Sequence, residues 1–212
     1  MNEQVKSSIK YLEFKSYTYT NIDIDGNFSN KVFKGQINID DSNLNLDFDG
    51  NIDLNKELPQ FNFNAKIRGA RLKQLNLTKD TIQFDADLST NFSGSNLDNI
   101  EGVVALNNTQ LTGTKNSFIV DSVYLKAMGR GTKRSLTIGS DILDASINGE
   151  YDLKTLPSYF KSVANKYIPS LGLKFITPGK QNFEFSLNIK YFDPISMLFI
   201  PQMKIPQQAN FN

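Results

Sequence analysis

The chain has 212 residues, and 23 lysines and arginines against 22 aspartates and glutamates give it a net charge of +1. This near balance provides no overall field that would favour nucleic acid or an anionic membrane. Cysteine and histidine are both absent, which excludes disulfides, cysteine nucleophiles, Ser-His-Asp triads and any metal site that needs a thiolate or an imidazole.

Residues 5–25 carry apolar residues on even positions at Leu12, Phe14, Ile22 and Ile24 and tyrosines on odd positions, and the Asp-Gly-Asn sequence at 25–27 is typical of a turn. A strand is predicted over 32–39. The most regular stretch follows at 44–54, where every even position is apolar or glycine and every odd position is Asn or Asp. Successive strand side chains point to opposite faces, so this stretch predicts a strand of roughly 36 Å with one apolar and one solvated face.

The same alternation predicts the later strands, with an interruption at 69–77 that suggests a short helical or irregular plug. One helix is predicted, from a cap at Thr155 or Ser158 to an end at Pro169 and Gly172, because apolar residues recur there at helical spacing. The remaining strands are predicted at 61–67, 82–92, 100–106, 118–125, 136–142, 145–153 and 183–191, before a proline-interrupted segment at 194–206.

This order of elements predicts an all-β chain of about ten strands and one amphipathic helix. The length of the strands favours a long, strongly curved and mostly antiparallel sheet with an apolar inner face over an ordinary sandwich of strands of about five residues. We expect one elongated unit over 1–212, divisible into 1–92 and 93–212, and we expect it to be an internal piece of a longer protein.

Four of the strands share the pattern apolar-x-Gly-x-apolar-x-apolar, with glycines at Gly35, Gly50, Gly102 and Gly149. Each glycine falls on the apolar parity, where glycine marks a bulge, a bend or a close approach by another chain or ligand. Curvature of the sheet and a notch that admits a ligand chain both explain the pattern, and the two can hold together.

The predicted helix is too small to cover the apolar face. Ten strands of roughly 35 Å make a face on the order of 1,600 Å², of which a helix of about fifteen residues covers only about 220 Å². Soluble monomers rarely expose apolar patches larger than a few hundred Å². The sheet therefore folds onto itself as a sandwich or barrel, sits in a membrane, or holds apolar ligands. Tryptophan is absent, which disfavours the aromatic girdles of a membrane barrel.

The order of these motifs resembles the TamB proteins of Bacteroidota, within the periplasmic TamB/AsmA-like superfamily. The resemblance runs from Phe33 to the end of the sequence. It is carried by FKG at 33–35, FDGNIDL at 48–54, LPQFNF at 58–63, ARLKQLNL at 70–77, FSGSNLDNIEG at 92–102, IGSD at 138–141, INGEYDL at 147–153 and LFIP at 198–201.

The resemblance implies a β-taco, which is a sheet curled into a U-shaped groove. It implies a lipid-binding segment of a periplasmic, bridge-like phospholipid transport protein of outer-membrane biogenesis, whose full-length form is anchored in the inner membrane. The implied partners are phospholipid acyl chains and, through parts outside this chain, a BamA/TamA-like barrel. The candidate lipid-groove lining is Phe33, Ile37, Leu44, Leu46, Phe48, Ile52, Leu54, Phe61, Phe63, Ile67, Ile82, Phe84, Leu88, Phe183, Phe185, Leu187 and Ile189.

The sequence offers weaker signals for catalysis, calcium binding and binding of lipid headgroups. We expect no catalytic residue, metal or cofactor, although Asp40 and Asp41 offer a carboxylate pair of the glycosidase type. The Asp-rich stretches at 21–26 and 45–53 imitate the start of a calcium loop without its final glutamate. A basic cluster, namely Lys126, Arg130, Lys133 and Arg134, is either a solvated loop or a contact for lipid headgroups. The alternative function is a closed β-sandwich that binds glycan or protein, with the same apolar residues as a sealed core.

Overall fold

The computed structural model describes residues 3–96, 98–114, 117–130, 133–167, 169–172, 174, 179, 181–191 and 209–211. Within these residues, one antiparallel sheet contains eleven strands of seven to thirteen residues and a last strand of three. The strands are β1 (Glu3–Phe14), β2 (Tyr17–Ser29), β3 (Val32–Asp41), β4 (Leu44–Asp53), β5 (Gln60–Arg71), β6 (Ile82–Ser93), β7 (Glu101–Gly113), β8 (Ser117–Met128), β9 (Arg134–Ser140), β10 (Leu143–Glu150), β11 (Asn182–Ile189) and β12 (Ala209–Phe211).

The spatial order of the strands is their order along the chain, from β1 at one edge to β12 at the other. Each strand pairs antiparallel with its chain neighbours, and the described parts of β1 and β12 do not pair with each other, so the sheet is not closed into a barrel. Helix α1 (Leu156–Tyr167) and a 3-10 turn (Pro169–Leu171) lie between β10 and β11. The predictions of an all-β fold, antiparallel pairing and one helix are confirmed. The predicted segment 194–206 lies outside the described residues.

Neither helical element in the described part of the chain has the length and hydropathy that crossing a membrane requires.

One face of the sheet collects the apolar side chains, and we call it the apolar face. The register pairs Ile22 with Ile39 and Phe48 with Ala65, and each pair lies on this face. The opposite face carries mainly Asn, Asp, Ser and Lys in β2 to β6. The well-buried apolar residues are Ile22, Phe48, Ala65, Ala70, Leu75, Ala86, Val120, Ala127, Ile147, Tyr151 and Ile189.

Irregular residues inside three strands keep the apolar side chains on this face. Asn21, Gly69 and Asn108 have left-handed φ values of 51°, 61° and 51°, a conformation that Gly adopts freely and Asn tolerates. The register of β5 against β6 shifts beside Gly69, and in β2 burial moves from odd to even positions across Asn21. A strand of twelve or thirteen residues can therefore change sequence parity without turning its apolar residues outward.

The turn predicted at 25–27 is wrong, because these residues lie inside β2 and pair with both β1 and β3. Gly26 faces Gly35 across the strands, and a Cβ built on Gly26 would lie 2.9 Å from the Gly35 Cα. Glycine at these two positions allows the two strands to approach each other closely. The actual turns are the pairs 15–16 and 30–31, whose φ values of 48° to 60° are those of two-residue hairpin turns.

The interruption predicted at 69–77 begins later than expected, because β5 continues to Arg71. The loop that follows packs one fully buried side chain, Leu75, which is 1% exposed. The Asn76 side chain donates hydrogen bonds of 3.1 and 3.0 Å to the carbonyls of Lys15 and Ser16. The loop is thereby fastened to the β1–β2 turn at one end of the sheet.

Candidate apolar ligand site

The register brings the predicted lining residues together on the apolar face. Phe33 pairs with Ile52, and Ile37 pairs with Phe48. Among the predicted residues, Leu54 alone lies beyond the end of its strand, and it is 50% exposed. Only Phe48 and Ile189 are well buried, at 8% exposure each. Apart from the exposed Leu54 and Phe185, the other predicted residues of the set are half-buried.

Aromatic side chains contact one another on the apolar face between β3 and β6. The Phe48 ring centroid lies 4.8 Å from that of Phe63 and 6.1 Å from that of Phe33. Phe61 and Phe92 stack with their centroids 4.7 Å apart. These distances fall in the range of favourable aromatic pairs, so the phenylalanines of this region contact one another across the strands.

A cavity of about 590 Å³ lies where α1 faces β9, β10 and β11, and we call it the α1 cavity. None of its lining residues is charged, and the two serines among them pair with each other across β10 and β11. Phe185 is 39% exposed although it points to the apolar face. The lining residues are Leu136, Ile138, Ala145, Ser146, Ile147, Leu153, Leu156, Phe160, Phe185, Ser186 and Leu187.

Helix α1 is held over the cavity by aromatic contacts and by its N-terminal turn. The Phe160 ring centroid lies 5.0 Å from that of Phe185, and the Tyr159 centroid lies 5.0 Å from that of Phe183. The start of the helical turn is capped by Asp152 and not by the predicted Thr155 or Ser158, because the Asp152 carboxylate accepts from the Lys154 amide at 2.8 Å and its carbonyl accepts from the Leu156 amide at 2.9 Å. The Thr155 hydroxyl in turn accepts a hydrogen bond from the Gln181 side chain at 2.9 Å.

One cation of the predicted basic cluster lies at the α1 end of the apolar face. Arg134 is opposite Gly149 in the register, and its guanidinium lies 4.0 Å from the centroid of the Tyr151 ring. Its side chain is 11% exposed and forms an ion pair of 3.3 Å with Asp98. Burial raises the pKa of Tyr151 above its ordinary value, although the charge of Arg134 acts in the opposite direction. Arg134 is thus already neutralised by a protein partner.

The other members of the basic cluster lie elsewhere. Arg130 forms an ion pair of 3.4 Å with Glu101. Lys126 pairs with Val103 on the face opposite the apolar face. Lys133 lies exposed in the β8–β9 connection. The structure therefore does not bring the four cations to one place.

A buried carboxylate lies at the other end of the apolar face. Asp41 is 9% exposed and accepts hydrogen bonds from the Tyr17 hydroxyl, from the Thr20 amide and hydroxyl at 3.0 and 2.7 Å, and from the Asn43 amide at 2.8 Å. Burial raises the pKa of Asp41, but these hydrogen bonds outweigh it and hold the pKa below the ordinary value. Asp40 is exposed on the opposite face, so Asp40 and Asp41 do not form the carboxylate pair considered from the sequence.

Comparison with known proteins identifies no relative. Protein-family models, curated proteins and solved structures each give no match to this chain. In the described residues, no group of three or more acidic side chains is placed to hold a metal ion. The function has to be inferred from the apolar face and the α1 cavity.

Sequence reasoning missed most of the α1 cavity. Of the predicted lining residues, only Phe185 and Leu187 line it. The alternation at 136–142 and 145–153 predicted the strands, and the helical spacing predicted α1. The pattern did not predict that the helix lies against the apolar face of β9 to β11. This placement depends on the path of the chain between β10 and β11.

Proposed function

We propose that this chain binds lipid through its apolar face, as a segment of a periplasmic, bridge-like phospholipid transport protein of outer-membrane biogenesis. The observation that carries the proposal is the α1 cavity. Its volume of about 590 Å³ lies within the range of roughly 300–1,000 Å³ of small-molecule sites. Its lining offers hydrocarbon contacts and no charge, which suits an acyl chain better than a polar ligand.

Incomplete burial along the apolar face supports the same proposal. Most candidate lining residues are half-buried, whereas a sealed core would bury them almost completely. Apolar surface therefore remains accessible to a ligand.

The glycine positions support a concave, groove-like shape of the apolar face. A Cβ built on Gly35 would lie 2.4 Å from the Gly26 Cα, and one built on Gly102 would lie 2.5 Å from the Phe92 Cα. The corresponding distances between Cβ atoms are 2.3 Å from Gly50 to Phe63 and 2.8 Å from Gly102 to Phe92, whereas Cβ atoms on neighbouring strands are ordinarily about 4.5–5.5 Å apart. Such close approach on the apolar side is what a sheet folded towards that side requires, and we propose that these glycines define the bottom of the groove.

The energy of acyl-chain binding suits a carrier. Ten buried methylene groups contribute about 8 kcal/mol, and association itself costs about 4–15 kcal/mol. The two terms are similar in size, so single chains should bind reversibly. Reversible binding allows a lipid to move from one part of a groove to the next.

The proposal is tested by binding of a fluorescent fatty acid to the purified chain. Ala145→Phe places a ring inside the α1 cavity, and we expect it to weaken binding at least about tenfold, because the space for several methylene groups is lost. Ala105→Phe, on the opposite face of β7, is the matched control and should bind like the parent chain. Absence of any binding by the parent chain, together with no co-purified lipid in native mass spectrometry, would favour the sealed-core alternative.

A further inference from the structure

The segment that carries α1 is the longest stretch of the chain without an acidic residue. Residues 153–183 contain five lysines and neither Asp nor Glu. The other 181 residues contain 18 basic and 22 acidic residues, a net charge of −4. Positive charge is therefore concentrated in the segment that contributes Leu153, Leu156 and Phe160 to the α1 cavity.

The four lysines of this segment that the structure describes are directed to solvent. Lys154, Lys161, Lys166 and Lys174 are exposed. The first three form no ion pair with any residue that the structure describes. Their charge is therefore available to a partner, in contrast to that of Arg134.

The apolar stripe of α1 extends beyond the sheet. Phe160, Val163 and Tyr167 follow one another at spacings of three and four residues and lie on one side of the helix. Phe160 packs against Phe185, but Tyr167 is 76% exposed. An exposed aromatic residue beside lysines is the composition of helices that lie in a membrane interface.

We propose that α1 docks on an anionic lipid bilayer surface, with its lysines among the headgroups and Tyr167 at the interface. An anionic surface complements an acid-free helix, whereas the acidic remainder of the chain is repelled by it. Docking there would place the α1 cavity next to the bilayer. Entry of a lipid from the bilayer into the α1 cavity rests on the lipid binding proposed above, but the docking itself does not.

The test is co-flotation of the whole chain with vesicles of phosphatidylcholine, with and without 30% phosphatidylglycerol. The variant is K154Q/K161Q/K166Q, and the matched control is K34Q/K66Q/K126Q, which removes the same charge from exposed positions of the sheet. Three lysines near an anionic surface account for roughly a 100-fold change in vesicle affinity at low salt. We expect K154Q/K161Q/K166Q to lose about this much affinity for the anionic vesicles, and we expect the affinity of the control to stay within about threefold of the parent chain.

Two outcomes would overturn the docking proposal. One is equal affinity of the parent chain for neutral and anionic vesicles, as expected if the lysines bind an acidic protein instead. The other is an equal loss in both triple variants, which would indicate a general charge effect. Fluorescent fatty acid binding without vesicles is measured in parallel and should be unchanged in K154Q/K161Q/K166Q. Its absence in all chains would count against lipid binding and leave the flotation result to decide the docking.

Discussion

The apolar face is filled differently in β3–β6 and in β9–β11. In the first region, phenylalanines from neighbouring strands contact one another, and Phe48 is 8% exposed. In the second, the strands present Ile138, Ala145 and Leu187, and α1 lies above them with Phe160. Aromatic residues packed laterally leave little space between them. Smaller aliphatic residues beneath a helix leave the α1 cavity, so space for a ligand depends on both side-chain size and the covering element.

The largest expected difference between the two regions concerns the loss of a ring. Phe48→Ala should lower the free energy of unfolding by about 3–5 kcal/mol, because it leaves a cavity among packed side chains. Phe185→Ala should cost about 1 kcal/mol, since Phe185 is already 39% exposed. Urea denaturation measures both values. Similar costs at the two positions would contradict the contrast between a filled and an open region.

Adding a ring should reveal the same contrast from the opposite direction. Ala65 is 5% exposed beside Phe48, so Ala65→Phe overfills the region and should destabilise by about 1–3 kcal/mol. Ala145→Phe enters the α1 cavity and should change the free energy of unfolding by less than about 1 kcal/mol. Thermal unfolding of the two variants gives the comparison. A large loss in Ala145→Phe would mean that the cavity is not accessible space in solution.

The smallest expected effect concerns the polar end of the filled region. Asp41→Ala leaves the Tyr17 and Thr20 donors without their acceptor and should cost about 1–2 kcal/mol at neutral pH. Because the folded-state pKa of Asp41 is lowered, its carboxylate stabilises the fold above the ordinary Asp pKa, and this contribution is lost as the pH falls through the folded-state value.

The variant should therefore show a weaker loss of stability under acid than the parent chain, as measured by urea denaturation between pH 2 and pH 7. Asp40→Ala is the control, because Asp40 is exposed on the opposite face. It should stay within about 0.5 kcal/mol of the parent chain. An unchanged acid response in Asp41→Ala would show that the hydrogen bonds around Asp41 do not depend on its charge.

The strands were predictable because burial on one face enforces a period of two. The prediction at 44–54 matches β4 (Leu44–Asp53) to within one residue, and α1 (Leu156–Tyr167) lies inside the stretch predicted to be helical between Thr155 and Gly172. Long-range placement was not predictable in the same way. Which strands lie beneath α1 depends on contacts between residues far apart in the chain, and the alternation is the same in every strand.

Turns and bulges were missed for a local reason. The turn at 15–16 uses Lys and Ser in left-handed conformations, which neither residue favours, so no turn signal was visible. Asn21 and Asn108 interrupt the alternation inside strands, and a single asparagine there is indistinguishable in sequence from the polar residues around it. Gly26 carried a turn-like signal, yet close approach to Gly35 requires its lack of a Cβ.

The meander order of the strands has a consequence for how such a protein changes in length. Each strand is bonded only to the strands before and after it in the chain. Long-range crossovers are absent from the described sheet, so loop-closure costs stay small and assembly can advance hairpin by hairpin from either edge. Gain or loss of one hairpin would lengthen or shorten the sheet by a fixed step of about 10 Å and leave the remaining pairings intact. Evolution can thus adjust the reach of this architecture without redesigning its interior.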